Sequence, residues 1–195
     1  MNQHDRLYRL LLAALYIAMG LVLPLFLGQV KVLMQGISPM HIPAFLAGLT
    51  LGPAYGCAVG LILPLLRMAV FGIPIAVNAI PMAPELAVYG LLTGCLYPLF
   101  AKKLFKSHLP AILLSMAVAM VAGRFAGGAA KAVLFGLSGS AFTFQAFVTA
   151  YFLSTAVGAG IHLLLCPAVT LALEQAKLSP VGNTAFALEN GKDAA

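Results

Sequence analysis

Residues 37–66 read ISPMHIPAFLAGLTLGPAYGCAVGLILPLL, an apolar segment with His41 between two prolines and a Gly52-Pro53 pair in its middle. As one helix this segment would extend roughly 45 Å, whereas the hydrocarbon core of a bilayer is about 30 Å thick. A Gly-Pro pair is a common helix boundary because proline disfavours the helical conformation of the residue before it. The segment therefore forms either one kinked span or two short helices.

The composition of the whole chain places this segment in a membrane. Of the 195 residues, 62% are hydrophobic and 8% are charged, whereas about 25% of residues are charged in soluble domains. No Asp, Glu, Lys or Arg lies between Leu10 and Val30 or between Ala132 and Leu173. Since about 20 apolar residues cross a bilayer as a helix, we predict an all-α polytopic membrane protein.

The charges of the loops decide the number of spans. Basic residues at positions 4–9 flank the first span, which places the N-terminus in the cytoplasm by the positive-inside rule. The basic loop at 102–106 lies inside only if there are six spans. We therefore predict six transmembrane helices with cytoplasmic N- and C-termini, the second helix being short and split from the third at Gly52-Pro53. The other spans are expected at Leu7–Leu27, Pro81–Ala101, Leu109–Ala130 and Thr143–Leu173.

The chain is expected to form one membrane domain, residues 1–178, followed by a polar cytoplasmic tail. The tail, residues 179–195, has no apolar periodicity, so we expect it to be disordered. The net charge of +6 does not predict binding to nucleic acid, because the basic residues fall in loops and beside the spans. The three cysteines lie within apolar segments and predict no disulfide framework.

Small residues recur at helical spacing and predict close helix packing. Glycines occupy every fourth position from Gly48 to Gly60, and Ala14 and Ala18 have the same spacing in the first span. Such faces let helix backbones approach closely in lipid. We interpret the glycines as packing inside the bundle. For Ala14 and Ala18, the spacing leaves open either the same role or contact with a partner membrane protein.

Six ionisable residues lie within the predicted spans, where a charge is costly and usually functional or paired. The predicted topology places His162 toward the inner side and the other five toward the outer side. Irregular polar backbone at membrane depth is tolerated where it lines a cavity, so we predict an outward-facing substrate pocket at the SPMHIP segment. Its expected residues are Gln35, His41, Arg67, Asn78, Glu85, Arg124 and Lys131.

A structural role stays open for each of these side chains. Glu85 and Arg124 could form an ion pair, whereas Arg67 and Lys131 could reach the lipid headgroups. His41 could cap a helix, and we interpret His162 as a packing residue. If even one of the cations has no partner, the pocket suits a ligand with a carboxylate or another anionic group.

The sequence contains no phosphate-binding loop of the type G-x-x-x-x-G-K-[ST] and no H-E-x-x-H motif. We therefore expect no enzyme, no catalytic residues, no metal site and no ATP hydrolysis by such a loop in this chain. A small membrane protein with a pocket and no energy source is typical of a binding subunit driven by another protein.

Four segments resemble the substrate-binding S components of energy-coupling factor (ECF) vitamin transporters: Ala14-xxx-Ala18, Met40–Arg67, PELAVYGLLTGCLY at 84–97 and AGRFAGGAAKAVLFG at 122–136. The resemblance implies a six-helix component of a prokaryotic plasma membrane that binds a vitamin or precursor near the outer face. It implies that Ala14 and Ala18 contact a transmembrane coupling subunit. It also implies that two cytoplasmic ATPases use the ATP, with no cofactor in this chain.

The resemblance does not name the substrate. Niacin, pantothenate, pyridoxine and hydroxymethylpyrimidine are candidates, and three cations against one carboxylate favour a small anion such as niacin or pantothenate. A neutral pyridoxine or pyrimidine alcohol stays open. The alternative function is a stand-alone secondary carrier that uses Glu85 and Arg124 as an intramembrane relay for protons or ions. A membrane scaffold or enzyme is a third, less favoured hypothesis.

Overall fold

A computed structural model of the chain describes residues 3–27, 38–104, 107–139 and 142–181. Over these ranges the chain forms helices and no strand, which confirms the predicted all-α class. The elements are α1 (Gln3–Leu27), α2 (His41–Leu51), α3 (Pro53–Phe71), α4 (Ala76–Lys103), α5 (His108–Leu137), α6 (Phe144–Val148), a π-helical turn π1 (Thr149–Leu153) and α7 (Ala156–Gln175).

Five segments of the described chain are long and apolar enough to cross a membrane: α1, α3, α4, α5 and the run from α6 through α7. The predicted split at Gly52-Pro53 is confirmed, since α2 ends at Leu51 and α3 begins at Pro53. Gly52 has a φ of 97°, which favours glycine, and the chain reverses there. Helix α2 has 11 residues and is about 16 Å long. The six-span count and the cytoplasmic termini stay predictions.

Several helix boundaries differ from the predicted ones, since α1 begins at Gln3 instead of Leu7 and α5 ends at Leu137 instead of Ala130. Helix α4 begins at Ala76 instead of Pro81 and contains both Pro81 and Pro84, which a transmembrane helix tolerates when its neighbours hold the backbone. The last predicted span, Thr143–Leu173, is interrupted by π1 and by a turn at residues 154–155. Residues 182–195 of the predicted tail and residues 28–37 lie outside the described chain.

The helix bundle has two ends, the Gly72 end and the Ser107 end. Helix α3 runs antiparallel to α4, because Gly60 lies against Leu86 while Gly56 lies against Gly90. The Gly72 end contains the end of α3, the start of α4 and the end of α5. The Ser107 end contains the end of α4, the start of α5 and the end of α7.

Helix α2 lies inside the bundle. All 11 of its residues are buried, and it packs against α1, α3, α4 and α7. Its C-terminal end is held by Arg9 of α1, whose Nη1 donates to the Leu51 carbonyl at 2.8 Å. Because α2 extends about half the thickness of the bilayer core, its first residue, His41, lies deep within the protein.

Glycines bring the backbones of α2, α3 and α4 into direct contact. A Cβ atom added at Gly90 would lie 2.1 Å from the Gly56 carbonyl oxygen. A Cβ atom added at Gly48 would lie 2.4 Å from the Gly90 carbonyl oxygen and 2.2 Å from Thr93 Oγ1. Real Cβ atoms do not approach backbone this closely, so these positions need glycine. The interpretation of these glycines as internal packing is confirmed.

We expect Gly90→Ala to destabilise the fold. The added methyl group forces α3 and α4 apart, and overpacking of this kind costs about 1–3 kcal/mol. The measurement is the thermal unfolding midpoint of the protein in detergent. The control is Gly160→Ala on α7, where an added Cβ meets nothing within 4 Å. Equal midpoints for the two variants would contradict the backbone contact.

Candidate functional site

A polar cavity lies where α2 begins, between α2, α4, α5 and α7. Its free volume is about 20 Å³, which is room for about one water molecule. Phe45 and Met120 contribute apolar lining. The polar residues that line the cavity are Ser38, His41, Glu85, Tyr89, Arg124, Thr155 and His162.

The SPMH turn fixes the orientation of the His41 ring. His41 Nδ1 lies 2.8 Å from the Ser38 carbonyl oxygen, and His41 N donates to the same oxygen at 3.0 Å. Because a carbonyl oxygen only accepts hydrogen bonds, Nδ1 carries the proton. The other ring nitrogen, Nε2, therefore faces the cavity and lies 3.7 Å from Glu85 Oε1.

Tyr89 holds the carboxylate of Glu85 from one turn further along α4. Its hydroxyl group donates to Glu85 Oε1 at 2.6 Å. The second oxygen, Oε2, lies beside α5, where a Cβ added at Gly127 would approach it to 3.0 Å. Tyr89 of α4 thus orients the carboxylate, and the absence of a side chain at Gly127 leaves room for it on α5.

Aromatic rings form the walls of the cavity. Phe45 and Tyr89 stack with their centroids 4.7 Å apart and their planes at 17°. The His41 ring lies 5.4 Å from the Tyr89 ring and 5.5 Å from the His162 ring. Such separations are typical of favourable aromatic pairs. The cavity therefore combines flat walls with a few polar groups, as small-molecule sites do.

Arg124 brings a positive charge to the cavity from α5. Its guanidinium group lies 5.1 Å from the centroid of the Phe152 ring and also interacts with the Tyr89 phenol. The described residues contain no ion pair between Arg124 and Glu85, and the ionisable side chain that lies within 4 Å of Glu85 is His41. Tyr89 lies between the two charges.

Two of the predicted cations do not line this cavity. Arg67 is 4% exposed and donates from Nη1 to the Leu21 carbonyl oxygen at 2.7 Å, which joins α3 to α1. Lys131 donates to Asn78 Oδ1 at 3.2 Å near the protein surface. Asn78, expected in a loop, lies in the first turn of α4. Gln35 lies outside the described residues.

His162 lies with the other ionisable groups of the cavity, so the prediction that it lies apart from them is wrong. The predicted depth of His162 depended only on its position within its own span. Its distance from His41 also depends on the depth at which α2 begins. Because α2 starts inside the bundle, the His41 ring meets His162 on α7.

Tyr89 and Phe45 were also missed, since aromatic residues in apolar spans look like core. The spacing of Tyr89 four residues after Glu85 was the available signal.

A second polar cluster joins α4, α5 and α7 near the Ser107 end. The hydroxyl group of Tyr97 donates to a carboxylate oxygen of Glu174. The same hydroxyl lies 2.6 Å from His108 Nδ1, and His108 Nδ1 lies 3.4 Å from Glu174 Oε2. Both Tyr97 and Glu174 are buried. The cluster was not predicted, although Glu174 directly follows a long segment without charged residues.

Ala14 and Ala18 lie on an exposed face of α1. Helical spacing puts them in one stripe with three exposed leucines, Leu7, Leu11 and Leu25. Within the described chain this stripe is left uncovered by the other helices. It is a small-residue face of the kind that lets another membrane helix approach.

The family model for the ECF transporter, substrate-specific component, matches residues 8–174. The chain belongs to this family of S components. The matched range begins in the second turn of α1 and ends one residue before the end of α7. It contains every residue that lines the cavity. Comparisons with curated proteins and with solved structures give no match. The family consists of transporter components rather than enzymes, so this S component is part of a membrane transporter.

We expect Tyr97→Phe to destabilise this S component. Removal of the hydroxyl group leaves the buried Glu174 carboxylate without its donor, which costs about 1–3 kcal/mol. The measurement is again the thermal midpoint in detergent. Tyr55→Phe is the control, because no hydrogen bond to the Tyr55 hydroxyl is found among the described residues. An unchanged midpoint in Tyr97→Phe would show that the cluster does not stabilise the fold.

Proposed function

We propose that this S component captures a water-soluble vitamin or precursor in the cavity at the start of α2 and delivers it inward. The observation that carries the proposal is that Glu85, Arg124 and two histidines from four different helices meet in one cavity. Charged groups inside membrane segments are usually functional or paired, and in an S component the expected function is binding of the substrate. Niacin, pantothenate, pyridoxine and hydroxymethylpyrimidine are the candidate ligands.

Binding requires the cavity to widen, because its free volume of about 20 Å³ holds about one water molecule. The wall that contains α6 and π1 is the place where we expect this movement. The helix is interrupted there, and π-helical turns often mark functional sites. Phe147 and Phe152 of this wall pack against Phe125 of α5. These contacts are between apolar side chains, which can separate without leaving a buried polar group unpaired.

Delivery of the ligand requires partners, because the sequence has no phosphate-binding loop. We infer that the stripe around Ala14 and Ala18 contacts the transmembrane coupling subunit of an ECF module, whose two cytoplasmic ATPases supply the energy. The exposure of this stripe supports the inference. The complex would then lie in the plasma membrane of a prokaryote.

The first experiment is a thermal-shift screen of the detergent-solubilised protein against the water-soluble vitamins and their precursors. A ligand at about 100 times its dissociation constant stabilises the folded state by about 2.7 kcal/mol. We expect one vitamin to raise the midpoint, and the shift to disappear in Arg124→Ala and His41→Ala. Lys131→Ala, which removes a cation outside the cavity on the same helix, should keep the shift. If no vitamin raises the midpoint of the wild type, the proposed function is wrong.

A second experiment separates capture from delivery. We expect the double substitution Ala14→Leu and Ala18→Leu to leave ligand binding unchanged. It should abolish both co-purification with the coupling subunit and uptake by cells, because large side chains keep the partner helix away. Ala132→Leu, at an exposed position of α5, is the control and should support uptake. Uptake into liposomes by this chain alone would instead favour the secondary carrier.

A further inference from the structure

The charges at the cavity differ from those inferred from the sequence. Arg67 donates to the Leu21 carbonyl oxygen and Lys131 donates to Asn78, so neither cation faces the cavity. Among the described residues that line it, the acidic and basic side chains other than histidine are Glu85 and Arg124. Within the described part of the chain, the cavity thus offers one acidic and one basic group besides its histidines, without the excess of basic side chains that favoured an anionic ligand.

The two oxygens of the Glu85 carboxylate are not equivalent. Oε1 accepts the Tyr89 hydroxyl at 2.6 Å and lies 3.7 Å from His41 Nε2. Oε2 accepts no hydrogen bond from any residue in the described part of the chain. Glu85 is 8% exposed and lines the cavity, and Oε2 itself is not fully buried. An ionised carboxylate only accepts hydrogen bonds, so this oxygen would attract a donor on a ligand and repel a ligand carboxylate.

The walls beside Glu85 suit a flat ring. The parallel pair of Phe45 and Tyr89 forms one surface, and the imidazole of His162 lies next to that of His41. A planar ring that enters the cavity beside these side chains gains ring–ring contacts with them. Arg124, on α5, also lines the cavity and can donate to an acceptor atom of the ring.

We propose that the ligand is an uncharged heteroaromatic ring with amine or hydroxymethyl donors rather than a carboxylate. Pyridoxine and hydroxymethylpyrimidine have this chemistry, whereas nicotinate and pantothenate are carboxylates. The donor group binds Glu85 Oε2, the ring packs against the aromatic walls, and Arg124 binds an acceptor atom of the ring. Tyr89 is a positioning residue, because it holds Oε1 and thereby directs Oε2 to the ligand. This inference rests on the proposed function.

The test compares four probes, pyridoxine, hydroxymethylpyrimidine, nicotinate and pantothenate, by titration calorimetry on the full chain in detergent. We expect one of the first two to bind tightest to the wild type. Glu85→Gln should weaken that binding by about 10- to 100-fold, as expected for a hydrogen bond to a charged acceptor. Glu174→Gln makes the same chemical change in a buried carboxylate of the second cluster and should leave the affinity unchanged.

The sign of the Glu85→Gln effect separates the two ligand classes. For a carboxylate ligand the substitution removes a repulsive charge and strengthens binding. Tightest binding of nicotinate or pantothenate, or an unchanged affinity in Glu85→Gln, would overturn the inference and leave the proposed function intact. If Glu85→Gln does not fold, the ranking of the four probes on the wild type decides. If no probe binds the wild type but another water-soluble vitamin does, the inference is wrong and the proposed function stands; if no vitamin binds, both are wrong.

Discussion

Contact between the backbones of α2, α3 and α4 is the constraint on which the rest of the structure depends. In lipid, apolar side chains gain little by leaving the solvent, so helices associate through close packing and polar contacts. Glycines at 48, 56 and 90 allow this packing, since a Cβ at any of them would overlap neighbouring backbone. Helix α2 is thereby held inside the bundle with all its residues buried. The cavity lies at its first residue because the helix is too short to cross the core.

Polar side chains join α4 and α7 at two levels, with α2 packed between these helices. At the level of the cavity, His41 of α2 contacts Glu85 and Tyr89 on one side and His162 on the other. About 18 Å away, by helical rise, Tyr97 of α4 bonds directly to Glu174 of α7. This frame resists separation of α4 from α7. The interrupted wall formed by α6 and π1 packs against α5 through Phe147 and Phe152, and we propose that it moves when a ligand enters.

The site was predictable only in part. His41, Glu85 and Arg124 were expected together and do line one cavity, because charge in an apolar span is informative by itself. Arg67 was placed at the correct end of its helix, but its long side chain reaches the Leu21 carbonyl oxygen. The sequence of α3 does not indicate which carbonyl group of a neighbouring helix the Arg67 guanidinium group binds. The expectation that His162 lies apart failed for a related reason, since it depended on the depth of a different helix.

Composition and spacing alone establish that this chain is helical, lies in a membrane, breaks at Gly52-Pro53 and packs through glycine faces. They also carry the resemblance to ECF S components, which the match over residues 8–174 confirms. These properties are local, because each depends on hydropathy or residue type within one segment. Which charges share the cavity was decided only by the packed helices. The depth of α2, the reach of Arg67 and the nearness of His162 all depend on backbone distances between segments far apart in the chain.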